Sequence, residues 1–177
     1  MTLVVTPALD LALQMLGDFI TSVLSADAPV PVIALPTNRT PPPPPVPGFV
    51  GMFVARQSRI MTNVDTWRSP DPTTREIAQA IRLTVQLDCY SPSSAAWATI
   101  LSGVFWDEVS VKPLAPILAP LYTADPIRAP LANGEEEYED RWIVQTYLQY
   151  NPTVSVLQQF ANRATVGLIN VDVSYPP

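Results

Sequence analysis

Apolar and polar residues alternate most clearly between Arg141 and Tyr150. By this alternation one face of the segment carries Trp142, Val144, Thr146, Leu148 and Tyr150. A period of two, rich in aromatic and branched residues, predicts a strand with one dry face. Asn151-Pro152 ends the strand, because proline has no N–H to donate to a neighbouring strand. We therefore expect Arg141–Tyr150 to be the central strand of a small domain.

A second long strand is predicted over Glu76–Tyr90, where one face is apolar except at Gln79. Its apolar positions are Ile77, Ile81, Leu83, Val85, Leu87 and Cys89. A shift of register by one residue would turn this whole set to water, so the register should be well fixed. The other predicted strands are Val30–Leu35 at a sheet edge, Phe49–Met61, Thr153–Phe160 and Ala164–Tyr175.

Two helices are predicted, each beginning at a capping residue followed by proline. The first begins at Thr6-Pro7, runs to about Leu24, and has an apolar arc wide enough for contacts on two sides, within the subunit or with a neighbour. The second begins at Ser91-Pro92 and runs to about Val109. Its predicted buried stripe is Trp97, Ile100, Leu101, Val104 and Phe105. The fold class is therefore α+β: a small, mostly antiparallel sheet packed by two helices.

Proline adds long extended arms to this picture, since the chain contains 21 prolines. Residues 1–177 fit a single domain, with a proline-rich arm at about 36–48 and a long irregular loop at about 110–134. The arm contains five consecutive prolines, for which polyproline II is the expected conformation: Pro41, Pro42, Pro43, Pro44 and Pro45. It is either a contact with a partner or neighbouring subunit, or a stiff spacer.

Composition argues against several function classes. The net charge of −6 argues against binding nucleic acid through its phosphates. The absence of histidine removes Ser-His-Asp catalysis and most zinc sites, and the six scattered glycines form no phosphate loop. Cys89, the one cysteine, is expected in the core. We predict no enzyme, no cofactor and no metal. No apolar run is long enough to span a membrane and the N-terminus lacks a basic signal region, so a soluble, intracellular chain is expected.

Two surface features remain as candidate interaction sites. An acidic cluster precedes the central strand and consists of Glu135, Glu136, Glu137, Glu139 and Asp140. It is interpreted as a solvated patch, because its spacing fits no calcium-binding loop. Trp67, in the polar loop Thr62–Thr74, is either a lid on the local core or an aromatic residue at an interface.

Five distinctive segments occur in order over nearly the whole chain from about Val50. They are R-I-M-T-N-V-D-T-W (Arg59–Trp67), L-T-V-Q-L-D-C-Y (Leu83–Tyr90), L-Y-T-A-D-P-I-R-A-P-L-A-N-G-E-E-E-Y-E-D-R-W (Leu121–Trp142), L-Q-Y-N-P (Leu148–Pro152) and G-L-I-N-V-D-V-S-Y-P-P (Gly167–Pro177). Together they resemble the neck or tail terminator proteins of contractile-tailed phages and prophages. None is a catalytic signature, so their specificity lies in their number and order.

The resemblance implies a structural virion protein of the tail or neck, assembled in the bacterial host cytoplasm. It implies a ring, expected to be a hexamer, that ends polymerisation of the tail tube and sheath and joins the tail to a head-completion or adaptor protein. DNA would pass through the ring without specific binding. The acidic cluster would then face the lumen or the next subunit, and the proline arm would reach a neighbour.

Three alternatives belong to this prediction. A head–tail adaptor ring would differ only in its neighbours. A non-viral binding module would use the polyproline arm as its ligand. A hydrolase would need the acidic cluster for acid–base chemistry, which the missing histidine and metal-ligand spacing argue against.

Overall fold

A computed structural model of the chain describes residues 3–25, 29–35, 48–67, 74–129, 131–132, 138–157 and residue 167. For 131–132 and 138–139 it describes the backbone alone. The helices are α1 (Leu9–Leu24), α2 (Ser94–Trp106) and α3 (Val111–Leu114), with a 3-10 turn at Glu108–Ser110 before α3. The strands are β1 (Val4–Thr6), β2 (Val32–Ala34), β3 (Phe49–Arg59), β4 (Val64–Trp67), β5 (Thr74–Ala78), β6 (Ile81–Tyr90), β7 (Leu118–Thr123), β8 (Ile127–Arg128), β9 (Leu131–Ala132), β10 (Tyr138–Glu139), β11 (Arg141–Tyr150) and β12 (Thr153–Leu157).

The larger sheet has the order β2-β3-β6-β11-β7, and β8 pairs with β11 beside β7. All of its pairings are antiparallel except that of β2 with β3. The predicted strand Arg141–Tyr150 is confirmed as β11, which is bonded on both sides and faces β6 in unbroken register from Arg141 opposite Tyr90 to Tyr150 opposite Ile81. The predicted edge position of the Val30–Leu35 strand is confirmed by β2.

Helices cover one face of the larger sheet and enclose the core between them. The sheet contributes the alternating residues of β6 and β11, and α1 and α2 contribute apolar stripes that meet where Phe19 contacts Phe105 edge to face, with ring centroids 5.7 Å apart. Fully buried side chains include Leu16, Ile20, Leu83, Leu87, Leu101 and Leu148. Helices that cover one face of an antiparallel sheet make an α+β domain, which confirms the predicted fold class.

A second, four-stranded sheet has the order β1-β12-β5-β4, and all of its pairings are antiparallel. Its three longer strands continue those of the larger sheet: β3 leads into β4, β5 into β6, and β11 into β12. At the junction the Ile60 N–H donates to Ala80 O, and the Gln79 N–H donates to Pro152 O, each at 2.9 Å. Every residue of its strands stays at least partly exposed.

Four predictions of local structure are wrong. Glu76–Tyr90 is not one strand, because it breaks at Gln79–Ala80 into β5 and β6, which lie in different sheets. The second helix ends at Trp106 rather than Val109, because the Asp107 carboxylate accepts the Val109 N–H at 3.0 Å and starts the following turn. Ile100 lies outside the buried stripe of α2. Thr6 belongs to β1, and Ala8 caps α1 without a side-chain hydrogen bond.

The predicted irregular loop at 110–134 is also wrong, since it contains α3, β7, β8 and β9. Prolines favour irregular backbone, but β7 lies at the edge of the sheet among the described strands, where a proline such as Pro120 is tolerated. Leu118 and Thr123 are buried and fix this strand to the sheet. The predicted strand Ala164–Tyr175 and the proline-rich arm lie outside the described residues.

Candidate interaction surfaces

The four-stranded sheet has one markedly apolar face. Its register aligns Val5, Val154 and Ile77 across three strands on this side. Val156 and Trp67 lie two positions along on the same side, because side chains of a strand alternate between faces. The opposite side is mixed: it carries Thr6, Thr153, Ser155, Glu76, Thr66 and Thr74 together with Val4, Ala78, Val64 and Leu157. The side that carries Val5, Val154, Ile77, Val156 and Trp67 is called the apolar face below. Val5 on β1 and Trp67 on β4 are about half exposed.

The two charges on the apolar face neutralise each other. The guanidinium of Arg75 forms an ion pair with the carboxylate of Asp65 and lies over the Trp67 ring, 5.9 Å from its centroid. Trp67 therefore lies in strand β4 rather than in a loop, which corrects the prediction for its segment. With 49% of its surface exposed, it is not a closed lid on the core, and its role at an interface stays a prediction.

A second apolar surface runs along α2. The outward-facing residues of this helix are Ala95, Ala96, Thr99, Ile100, Gly103 and Trp106, and are called the outer stripe below. No charged residue occurs anywhere in α2. The one hydroxyl in the stripe, Thr99 Oγ1, donates to Ala95 O at 2.9 Å, so it is satisfied within the helix. A helix apolar on all sides is normally buried on all sides, whereas this one is buried only through Ser94, Ala98, Leu101 and Phe105.

The C-terminal end of α2 extends the outer stripe with larger side chains. Trp106 is 66% exposed and lies 6.3 Å, between ring centroids, from Tyr122 on edge strand β7. Tyr122 in turn stacks on Tyr147 at 4.2 Å. Val109 and Val111, just beyond the helix, are also exposed. The outer stripe was missed at the sequence level, although thirteen consecutive residues without a charge were a visible signal.

The acidic cluster is described only at its C-terminal end. The Asp140 carboxylate accepts from Arg128 Nε at 2.9 Å and from Ser94 Oγ at 3.4 Å. Ser94 is the first residue of α2, where the helix dipole favours a negative charge. Asp140 is therefore held within its own subunit. Glu135, Glu136, Glu137 and the side chain of Glu139 lie outside the described residues, as do Pro41, Pro42, Pro43, Pro44 and Pro45.

A buried ion pair that was not predicted fixes the adjoining end of the larger sheet. Arg141 Nη2 donates to Asp88 Oδ2 at 2.8 Å, and Gln86 Nε2 donates to Asp88 Oδ1 at 2.8 Å. The guanidinium of Arg141 also lies over the Tyr90 ring, which stacks on Phe49 with centroids 4.6 Å apart. This group joins β3, β6 and β11 and pairs each charge with an opposite charge, which is the arrangement of a structural ion pair.

Cys89 lies in the core, as predicted. Its side chain is fully buried, and burial, with a smaller effect from the neighbouring Asp88 carboxylate, raises the pKa of the thiol to about 12. Among the described residues no group of three or more cysteine, aspartate or glutamate side chains is placed to hold a metal ion. None of the described helices is long and apolar enough to cross a membrane.

The chain matches the model of a family described as phage neck terminator protein over residues 12–175, which is nearly its whole length. No curated protein matches the chain.

Proposed function

We propose that this chain, which belongs to the phage neck terminator family, forms a homo-oligomeric, hexameric ring at the head-proximal end of the phage tail. The family identifies a structural component of the phage neck. The ring would end polymerisation of the tail tube and sheath, and its opposite side would bind the head-completion or adaptor protein. Assembly takes place in the host cytoplasm before the tail joins the head.

The observation that carries this proposal is a pair of apolar surfaces on one subunit that no other described element covers. A closed ring of identical subunits needs two different surfaces on each copy, because every contact joins the front of one subunit to the back of the next. The apolar face of the four-stranded sheet and the outer stripe of α2 are two such surfaces. Monomeric proteins rarely leave apolar patches of this kind in water.

The acidic charge of the chain suits a ring through which DNA passes. Six copies at −6 each give 6 × (−6) = −36, and a lumen of the same sign as DNA repels the phosphates instead of binding them. In this proposal Glu135, Glu136, Glu137 and Glu139 face the lumen or a basic patch of the next subunit. Asp140 anchors the C-terminal end of the acidic cluster through its ion pair with Arg128 of the same subunit.

Neutralising the four glutamates to glutamine tests the role of the acidic cluster. Asp140 is left unchanged, because its loss would also break a contact within the subunit. We expect altered ring assembly or slower DNA ejection, measured by native mass and by infectivity. Normal rings with normal infectivity would remove this part of the proposal.

The proline-rich arm is proposed to reach a neighbouring subunit or the sheath. Deleting residues 37–47 should then weaken the ring or its joining to the tail, with the fold retained. The matched control replaces the five central prolines by alternating glycine and serine at constant length, which separates contact from reach. Unchanged native mass and unchanged tail joining after the deletion would identify the arm as a spacer.

Electron microscopy of lysates from a phage whose gene for this chain carries a stop codon tests the proposed function directly. Overlong or ragged tails that are not attached to full heads are the expected result, because nothing would end tube growth. Tails of normal length that fail to join heads would instead place the chain in a head–tail adaptor ring. Unchanged virions would overturn both positions.

A further inference from the structure

We infer that the joint between neighbouring subunits forms where the outer stripe of α2 on one copy packs across the apolar face of the four-stranded sheet on the next. The inference rests on the proposed ring and names the surfaces that close it. It predicts a helix-on-sheet contact between copies of the kind that each subunit already makes inside its own core.

Among the described residues, the four-stranded sheet has no layer packed on its apolar face. An antiparallel sheet with one apolar face is stable when a helix or a second sheet covers that face. The larger sheet of the same subunit has this cover, because α2 packs on β11, β7 and β6 while α1 packs on β2 beside α2. On the four-stranded sheet even the central strands β5 and β12 stay partly exposed.

In the part of the chain that the structure describes, no element packs on the outer side of α2. Its buried stripe packs against β11, β7 and β6, so its outer stripe points away from that sheet. It cannot cover the four-stranded sheet of its own subunit without leaving the core. A second copy can supply the missing sheet, and the small residues Ala96, Thr99 and Gly103 let a backbone surface approach closely.

The two surfaces agree in size and in charge. A helix of thirteen residues is about 20 Å long, and four strands spaced about 4.8 Å apart span about 15–19 Å including their side chains. The outer stripe has no charge, and the Arg75–Asp65 ion pair leaves the apolar face neutral. No unpaired charge is therefore buried when the surfaces meet.

Two tryptophans give the joint additional contact area. Trp106 lies at the end of the outer stripe, and Trp67 lies on β4 at the edge of the apolar face. Trp106 is 66% exposed and Trp67 is 49% exposed, so the joint would cover apolar ring surface that each tryptophan now leaves open.

Cysteine cross-linking on assembled tails tests the joint. The variant carries Ile100→Cys, in the middle of the outer stripe, and Val154→Cys, in the middle of the apolar face. The single native thiol does not interfere, because Cys89 is buried and its raised pKa, about 12, keeps it protonated. We expect a short bismaleimide to give a ladder of covalent oligomers that ends at the ring size.

The matched control replaces Ile100→Cys by Leu11→Cys, with Val154→Cys retained. Leu11 is an exposed leucine on α1, 46% exposed against 43% for Ile100, and belongs to neither surface. It should give no ladder. If rings are visible by electron microscopy but the Ile100–Val154 variant gives no ladder, the joint is overturned and the proposed function stands. If no ring is present on the tails, both are overturned.

Charge substitutions give a second measurement that does not depend on cross-linking geometry. Ile100→Glu should raise the concentration needed for assembly about tenfold or more, because the joint would bury an unpaired carboxylate. Leu11→Glu should leave it unchanged. Adding Val154→Lys to Ile100→Glu should recover at least part of the loss. Equal effects of the two glutamate substitutions, with both monomers folded, would contradict the inference.

Discussion

Replacing Arg141 by methionine should destabilise the subunit strongly, because it leaves the buried Asp88 carboxylate without its cationic partner. Asp88 is only 2% exposed, and Arg141 is its one cationic partner among the described residues. After the substitution only the Gln86 amide still donates to that carboxylate. Breaking a buried ion pair by removing one partner costs about 3–5 kcal/mol. That is a large share of the roughly 5–15 kcal/mol that holds a domain folded.

The same ion pair predicts an asymmetry between its two partners. Asp88→Asn should cost less than Arg141→Met, because the Arg141 side chain is 21% exposed and can turn its charge towards water. Arg128→Met is the matched control, since it removes an arginine from an exposed pair with Asp140. Exposed pairs contribute about 0–1 kcal/mol. The expected order of destabilisation is therefore Arg141→Met, then Asp88→Asn, then Arg128→Met.

Urea unfolding of the monomeric protein, followed by tryptophan fluorescence, measures these differences. The midpoint should move while the slope with denaturant stays constant, which shows that stability rather than compactness has changed. Protein concentration must be held fixed, because assembly would add its own stabilisation. An Arg141→Met variant within about 1 kcal/mol of the Arg128→Met variant would refute the reasoning.

Three further predictions concern the core and the backbone at Gly48. Gly48→Ala should lower the free energy of unfolding by about 2 kcal/mol or more. Gly48 has a φ of +108°, and a Cβ at this position would lie 2.2 Å from the Tyr90 carbonyl oxygen. Urea unfolding measures the change, and an unchanged stability would contradict the prediction. In the same assay, Leu101→Ala should lower the free energy of unfolding by about 2–5 kcal/mol and Ile100→Ala by less than about 1 kcal/mol. The reason is that Leu101 is fully buried, whereas Ile100 is 43% exposed. Similar losses for the two variants would contradict the assigned faces of α2. The free energy of unfolding should fall as the pH rises from about 9 towards 12, because burial raises the pKa of the Cys89 thiol from 9.0 to about 12 and the unfolded chain therefore loses this proton first. Cys89→Ala should make the free energy of unfolding fall less steeply over this pH range. An unchanged dependence on pH would contradict the prediction.

The sequence predicted those elements whose pattern is fixed by one buried face. β6 and β11 each keep one largely apolar face, and α1 keeps an apolar arc over four turns, so the positions of these elements follow from periodicity. The break at Gln79 was visible as the one polar residue on an apolar face. It was interpreted as an exception within a strand, because periodicity does not reveal that the chain passes from one sheet to another.

The interaction surfaces were harder to predict, because their residues resemble core residues in every local respect. Ile100 was placed in the buried stripe of α2 since an isoleucine at helical spacing is usually buried. Only the packing of α2 on β11 and β7 shows that Ile100 faces outwards. Likewise, Asp88 lies on the polar side of its strand, and its ion pair with Arg141 depends on a pairing across 53 residues.

Cryo-electron microscopy of isolated tails from wild-type and stop-codon phages shows whether this chain forms the ring that ends the tail. We expect one ring of density with six copies at the head-proximal tip of wild-type tails, and no such ring on the overlong tails of the stop-codon phage. The ring should show α2 of each subunit against the four-stranded sheet of the next. If tails have normal length and the same head-proximal tip with and without this chain, it does not end tail growth.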